Sequence, residues 1–159
     1  MPSIAICSRV SAQKRRAPPL LLWCCMLIEA PFNDTTGAIL AAAIEVHRHL
    51  GPGLLESTYS ECLQFELSTR KLRYATQHRL PLVYKGKPLD ASYRVDLIVE
   101  DCVVVEVKAV TAILSVHHAQ ILTYMKLTGC PAGLLINFDV ARLMDGVKRF
   151  VNPRESHQR

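Results

Sequence analysis

The feature that most constrains this chain is the segment 102–110, in which two charged residues interrupt the apolar run CVVVEVKAV. A run that is apolar at successive positions is typical of a strand in the middle of a sheet covered on both sides. Glu106 and Lys108 are two residues apart, so in a strand their side chains project from one face, about 7 Å apart. Because buried charges are costly unless they are paired or bound to a metal, the segment predicts either a structural ion pair or a functional site.

A second carboxylate, Asp96, lies in the preceding apolar segment 92–99. The two segments predict a hairpin. For Asp96 to share a face with Glu106, the loop must hold an odd number of residues, most simply 100–102, or contain a bulge. Two carboxylates and one lysine would then converge. Magnesium takes one or two carboxylates and retains waters, and a lysine stabilises developing negative charge, so this set suits metal-dependent phosphodiester hydrolysis.

The patterns on either side of this hairpin predict further helices and strands. Apolar residues recur at helical spacing in three segments, and Gly51 and Gly129 end the first and the third. The predicted helices cover about residues 34–50, 54–70 and 115–127. The predicted strands cover about residues 73–78, 80–84, 92–99, 102–110, 132–138 and 143–151. This order predicts an α/β fold, a mixed central sheet flanked by helices.

The charge is unevenly distributed along the chain. The net charge of the 159 residues is +5, and in residues 1–30 four basic residues stand against the single acidic Glu29. The remainder is nearly neutral, so bulk charge is weak evidence for nucleic-acid binding. We expect one domain over residues 31–152, an N-terminal extension outside the fold over 1–30, and a C-terminal tail over 153–159.

Near the N-terminus, a basic cluster at 14–16 precedes the nine-residue apolar run 20–28, a superficial match to a secretory signal. Nine residues are too few for a membrane-spanning helix, which needs roughly 20, and Pro31 interrupts the expected cleavage site. We therefore favour neither export nor a membrane association. The interpretation that we favour is a biological start at Met26, which would leave the preceding residues without a role in the fold.

The cysteines bear on metal sites and on location. The six cysteines include no C-x-x-C pair and no paired His/Cys spacing of the kind that zinc sites use. We therefore expect no structural zinc or iron-sulfur site, and we expect free thiols in a reducing cytoplasm.

The spacing D-x(9)-E-x-K, from Asp96 to Lys108, is similar to the signature of the PD-(D/E)XK nuclease superfamily. The region from about 36 to 151 resembles one branch of it, the GxxExxY protein family, whose name can be read in residues 53–59, GLLESTY, preceded by the family-like IEVHRHLGP. Four further segments follow in the expected order: 93–97 (YRVDL), 106–108 (EVK), 117–124 (HHAQILTY) and 134–138 (LLINF). The resemblance implies a core like that of restriction endonucleases.

The resemblance also implies a role for each matching position. Asp96 and Glu106 would be metal ligands, with the Val107 carbonyl as a third, for Mg²⁺ or alternatively Mn²⁺. Lys108 would serve the catalytic water. The substrate would be nucleic acid, with DNA the expected class. The resemblance further allows a homodimer, because many small nucleases of this superfamily pair to address two strands.

Glu56 and Gln120 would complete the catalytic set that the resemblance implies, each entering from a helix. From local sequence alone Glu56 has a simpler interpretation, because a carboxylate in the first turn of a helix is stabilised by the helix dipole. Tyr59 and Tyr124 would contact substrate, and Tyr124 would alternatively pack beneath the site. The sequence departs from the family pattern at His118, where an acidic residue is more usual.

Three functions from different classes remain open. The one that we favour is a metal-dependent DNA nuclease. The alternative is a nucleic-acid-binding or accessory module that retains the charged residues but cleaves weakly, and the third is a protein unrelated to nucleic acids in which the charged trio is a structural network. Magnesium-dependent cleavage that Lys108→Ala abolishes would select the first, and metal-independent binding without cleavage would select the second.

Overall fold

The computed structural model describes residues 32–152, apart from the side chains of residues 88–92. The expected N-terminal extension, the start at Met26 and the C-terminal tail lie outside the described residues. The helices are α1 (Phe32–Leu50), α2 (Glu56–Thr69) and α3 (Ser115–Thr128). The strands are β1 (Tyr74–Tyr84), β2 (Lys87–Val99), β3 (Val103–Lys108), β4 (Ala132–Asn137) and β5 (Val147–Val151). None of these helices is long and apolar enough to cross a bilayer.

The five strands form one sheet in the order β1-β2-β3-β4-β5. β3 and β4 are parallel, whereas the other neighbours are antiparallel. β3 is the central strand, and all six of its residues are buried. Val103, Val105 and Val107 pack in a core with α1 and α2, whereas Val104 packs in a second core with α3. Helices on both faces of a mixed sheet confirm the predicted α/β fold and explain why the β3 segment is apolar at successive positions.

The strands at the two edges of the sheet differ from the prediction. The predicted segments 73–78 and 80–84 form one strand, because the backbone pairing with β2 continues past Leu80. The register of this pairing shifts directly after Pro81. At the other edge, residues 143–146 form a 3-10 turn before β5. The turn forms because the Asp145 amide donates to the Arg142 carbonyl, 3.0 Å away, and the two side chains form an ion pair.

The hairpin of β2 and β3 has the predicted odd loop. The ladder joins Val99 to Val103, which leaves the three residues 100–102 in the loop. The same register, continued one step beyond the last pair, sets Asp96 opposite Glu106. The parity that the sequence requires for a shared site is therefore present.

β2 turns about its own axis at Asp96. In a regular strand, residues two apart share a face, yet Val95 packs in the core with α3 and Leu97 packs in the core with α1 and α2. The pairing of β1 with β2 keeps one register on both sides of this point, where the residue of β1 opposite Asp96 is Gln77, with φ of +50°. Asp96 therefore lies where β2 leaves β3.

The position of α3 depends on a glycine in β4. A Cβ atom on Gly133 would lie 2.7 Å from Sδ of Met125 and 3.1 Å from the side chain of Ile121, so a larger residue there would push these side chains of α3 away from β4. α3 also carries Gln120 and Tyr124. The close packing therefore sets how near these two side chains come to β3.

Candidate active site

Lys108 is the centre of a group of charged side chains at the end of β3. Its Nζ atom lies 2.7 Å from Oε1 of Glu106 and 3.6 Å from Oε1 of Glu56. Glu106 is 1% exposed and Lys108 is 9% exposed, whereas Glu56 is half-buried in the first turn of α2. The lysine therefore connects the central strand to the start of a helix, and it does so with little access to water.

The side chain of Asp96 contacts the backbone of the same strand, β3. Its Oδ2 atom accepts a hydrogen bond of 3.0 Å from the Val107 amide. The β2–β3 ladder has ended at the pair of Leu97 with Val105, so a side chain takes the place of the missing backbone partner. Because the amide and the carbonyl of one strand residue point to the same side, the Val107 carbonyl also faces β2. Asp96 and the Val107 backbone thus meet where β2 leaves β3, and Asp96 is near enough to Glu106 for the two carboxylates to interact electrostatically.

Burial and the repulsion of neighbouring carboxylates raise the pKa values of two carboxyl groups of this cluster, Asp96 and Glu106. Burial, followed by the negative charge of Asp96, raises the pKa of Glu106 from 4.5 to about 7, although the hydrogen bond from Lys108 opposes the rise. Burial also raises the pKa of Asp96, against the hydrogen bond from the Val107 amide. Burial lowers the pKa of Lys108, but the hydrogen bond and charge of Glu106 outweigh it and raise the pKa overall. The cluster holds more negative charge than one lysine balances.

One oxygen of this cluster lacks a partner. Oε2 of Glu106 is buried and accepts no hydrogen bond from the described residues. Among the side chains that the structure describes, no three His, Cys, Asp or Glu residues converge as a metal cluster, so an ion here would depend on two carboxylates and a backbone carbonyl. That donor set fits Mg²⁺, which takes one or two carboxylates and keeps waters. Zn²⁺ fits less well, because it is typically held by three or four His or Cys ligands.

α3 contributes a tyrosine to the cluster. Nε2 of Gln120 donates a hydrogen bond of 2.8 Å to the hydroxyl of Tyr124, one turn further along the helix. Burial raises the pKa of Tyr124, and the negative charges of Glu106 and Asp96 raise it further against the hydrogen bond from Gln120. The ring meets that of Tyr93 edge to face, with centroids 6.1 Å apart. The Tyr124 hydroxyl is therefore within electrostatic range of both carboxylates, whereas the hydrogen bond that Gln120 makes is to Tyr124 and not to a member of the charged cluster.

With this geometry in place, the chain can be compared with known proteins. A family model described as the PD-(D/E)XK nuclease superfamily matches residues 33–150, most of the chain. The chain belongs to the PD-(D/E)XK nuclease superfamily. Searches of curated proteins and of solved structures found no significant match. Membership of the superfamily agrees with the five-stranded mixed sheet, and it makes this a nuclease-type domain of the hydrolase class.

Tyr59 lies apart from the charged cluster of this PD-(D/E)XK domain. It is fully buried, and its ring stacks on Phe138 with centroids 4.5 Å apart. Its hydroxyl donates to the Gly51 carbonyl at 2.6 Å and accepts from the Leu54 amide at 3.1 Å. This position does not support the predicted substrate contact. Tyr59 instead holds the loop before α2, and through that loop it fixes the start of the helix that carries Glu56.

Asn137 belongs to the surroundings of the site and was not predicted. It is 2% exposed and lies beside Lys108 in the parallel β3–β4 ladder. Its side chain accepts a hydrogen bond of 3.0 Å from the Val110 amide and donates one of 2.7 Å to the Val110 carbonyl. It therefore fixes the chain directly after Lys108. The available signal was a lone amide within an otherwise apolar strand.

The two neighbouring histidines of α3 have different environments. Nδ1 of His117 accepts a hydrogen bond of 3.1 Å from the Leu114 amide at the helix start. The His118 ring meets Phe150 of β5 at 5.7 Å, and its Nε2 atom is buried without a hydrogen bond to the described residues. At the position where an acidic residue is more usual, this nuclease domain thus places an aromatic ring against the last strand.

Proposed function

We propose that this chain is a Mg²⁺-dependent nuclease that hydrolyses phosphodiester bonds in DNA, and that it belongs to the GxxExxY branch of the superfamily. The observation that carries the proposal is the Glu106 carboxylate. One oxygen contacts Lys108, and the other is buried with no hydrogen-bond partner among the described residues, in electrostatic range of a second carboxylate, Asp96. Such an arrangement costs stability, because a buried charge needs full compensation. A cation is the partner that would compensate it, and strongly shifted acids of this kind are concentrated at functional sites.

The proposed ligands are Asp96, Glu106 and the Val107 carbonyl, with Mg²⁺ as the ion and Mn²⁺ as a substitute. When bound, such an ion lowers the pKa of water and stabilises charge on a phosphoryl oxygen. Without a cation, a Glu106 pKa of about 7 leaves the group partly protonated at neutral pH. Cation binding favours the ionised form of both acids, so it should release protons near neutral pH.

The other side chains orient the reacting groups. Lys108 would hold the attacking water and offset the negative charge that develops on the phosphate. Glu56, 3.6 Å from the lysine Nζ atom, would keep that ammonium group charged and directed at the site. Tyr124 would donate its hydroxyl proton to a phosphate oxygen, while Gln120 holds the phenol in position.

The branch, the substrate and the location rest on different support. The GxxExxY assignment is supported by the match of residues 53–59 to the motif. It is also supported by the structural role of the motif tyrosine, because the Tyr59 hydroxyl makes hydrogen bonds to the loop that precedes Glu56. The choice of DNA rests on the resemblance. A cytoplasmic location is supported by three free cysteines within the described residues, at positions 62, 102 and 130.

The proposal is tested by incubating the purified protein with duplex, single-stranded and branched DNA and with RNA, in Mg²⁺, Mn²⁺ or EDTA. We expect cleavage with either metal, none with EDTA, and a loss of about two orders of magnitude or more for Lys108→Ala. The matched control is Lys148→Ala, which removes an exposed lysine from β5 at the far edge of the sheet. Binding of nucleic acid without cleavage would instead select the accessory-module alternative, and cleavage that survives Lys108→Ala would contradict the proposed site.

A further inference from the structure

Two arginines face each other across the β1–β2 hairpin. Arg79 and Arg94 are direct partners in the antiparallel ladder, and both are exposed. Like charges in directly opposite positions destabilise a sheet. Among the described side chains, neither guanidinium has a carboxylate within the about 4 Å of an ion pair, whereas exposed Arg73 and Arg142 both do. The fold itself therefore gains nothing from placing these two charges together.

The arginine pair is connected to the charged cluster through Gln77. Nη1 of Arg94 contacts Oε1 of Gln77 at 3.5 Å. Gln77 lines a polar groove whose walls also include Asp96, Glu56 and Glu61, together with serine and glutamine side chains of α2. Gln77 therefore links Arg94 to the groove that holds the carboxylates of the proposed site.

Gln77 also has an unusual backbone. Its φ of +50° lies in the left-handed region, within a strand and opposite Asp96. This conformation is costly for a residue with a side chain. It lies opposite the point at which β2 turns about its axis, at a residue that lines the groove together with Asp96.

We propose that Arg79 and Arg94 bind the phosphate next to the scissile one, so that one nucleic-acid strand crosses the outer hairpin and enters the groove beside Asp96. This inference rests on the proposed nuclease function and names the part of the substrate that the hairpin contacts. Arg94 contacts Gln77, which lines the groove together with Asp96, so a phosphate held by the arginine pair would lie at the groove beside the proposed site. A guanidinium binds phosphate oxygens through paired N–H donors, and one anion between two arginines also relieves their repulsion.

The binding test uses a fluorescent single-stranded oligonucleotide in EDTA, where the proposed chemistry does not proceed. Each neutral variant, Arg79→Gln and Arg94→Gln, should weaken binding roughly threefold and reduce the slope of log affinity against log salt by ~0.7. Arg94→Lys should keep the slope. The control Lys148→Gln removes one positive charge from the opposite edge of the sheet and should change neither quantity. The variants should melt at the temperature of the wild type or above it, because a like-charge pair is removed.

A second substrate separates this inference from the nuclease proposal. Bis(p-nitrophenyl) phosphate has one diester and no adjacent phosphate. The arginine variants should hydrolyse it at the wild-type rate while their kcat/KM on an oligonucleotide falls several-fold, whereas Lys108→Ala should lose both activities. Salt-dependent binding through the arginines without any hydrolysis would refute the nuclease proposal and retain the phosphate site. Two outcomes would overturn the phosphate site. In the first, a double arginine variant hydrolyses the diester and binds the oligonucleotide as tightly as Lys148→Gln does. In the second, the wild type does not bind the oligonucleotide.

Discussion

Nζ of Lys108 lies 2.7 Å from Oε1 of Glu106, two residues earlier on the same buried strand. A structural ion pair would be complete if the remaining polar atoms were also satisfied. They are not, because Oε2 of Glu106 has no hydrogen-bond partner among the described residues and Asp96 adds negative charge nearby. The pair is therefore better explained as part of a site than as a stabilising contact, and the two explanations predict different mutant behaviour.

Lys108→Ala should reduce DNA cleavage by about two orders of magnitude or more, because the charge that offsets the developing phosphate charge is lost. Removing one partner of a buried pair ordinarily destabilises a protein by about 3–5 kcal/mol. Here the loss should be smaller near neutral pH, because removing the lysine, which lowers the pKa of Glu106, raises that pKa further and lets the buried carboxyl take up a proton. Single-turnover cleavage and thermal melting below and above pH 7 check both statements. Lys148→Ala should match the wild type, and equal loss of activity in both variants would contradict the assigned role.

Asp96→Asn should abolish Mg²⁺ binding and leave the metal-free fold as stable as the wild type or more stable. The amide oxygen of asparagine can still accept the hydrogen bond from the Val107 amide. The substitution also removes the negative charge that raises the pKa of Glu106. Thermal melting with and without Mg²⁺ measures this directly: the wild type should gain stability from the ion and the variant should not.

The control for that substitution is Asp101→Asn, which changes a strongly exposed carboxylate in the β2–β3 loop. It should leave the response to Mg²⁺ intact. Severe unfolding of Asp96→Asn without metal would instead favour a structural charge network.

The centre of the sheet, strand β3 and the loop before it, could be predicted from the sequence. The continuous apolar run of β3 predicts a strand that is covered on both faces, and the alternation of side chains along strands predicts an odd loop before it. The first follows from strand periodicity alone, and the second follows from that periodicity together with the requirement that Asp96 and Glu106 share a face. The two groups that interrupt the run, Glu106 and Lys108, were identified because buried charge is costly wherever it occurs.

Other features depend on tertiary contacts that sequence periodicity does not encode. The left-handed Gln77 has no local sequence mark, since glutamine is ordinary in an exposed strand. The GxxExxY motif does not distinguish a tyrosine that contacts substrate from one that supports a loop, and only the packing of Tyr59 on Phe138 separates them. Asn137 was overlooked because one amide in an apolar strand is a weak signal until its two bonds to Val110 are seen.

Tyr59→Phe should lower stability without changing the chemistry of the folded enzyme. The substitution removes the hydroxyl bonds to the Gly51 carbonyl and the Leu54 amide, and leaving such groups unpaired costs about 1–3 kcal/mol. Denaturant unfolding gives the free energy, and kcat at a temperature where the variant is folded gives the activity. Tyr84→Phe, at an exposed site, should change neither. A specific loss of substrate affinity in Tyr59→Phe would restore the predicted substrate contact.

The metal-free protein should become less stable as pH rises from about 4.5 to 7. The folded state raises the pKa of Glu106 from 4.5 to about 7, so in this window the folded chain binds more protons than the unfolded chain, and stability falls with rising pH. Above the folded pKa both states are ionised and this contribution becomes constant. Its full size is on the order of 3 to 4 kcal/mol, since the shift from 4.5 to about 7 is multiplied by about 1.4 kcal/mol for each pKa unit.

Glu106→Gln should flatten this part of the pH profile, because glutamine does not titrate, whereas Glu61→Gln, at an exposed position of α2, should leave the profile unchanged. Saturating Mg²⁺ should flatten the wild-type profile in the same way, because cation binding stabilises the ionised carboxylate that burial disfavours. Denaturant unfolding at a series of pH values provides four curves: the wild type in EDTA, the wild type in Mg²⁺, and each of the two variants in EDTA. If the profile of the wild type in EDTA equals that of Glu106→Gln, the raised pKa is absent, and the argument that this carboxylate is held ready for a cation fails with it.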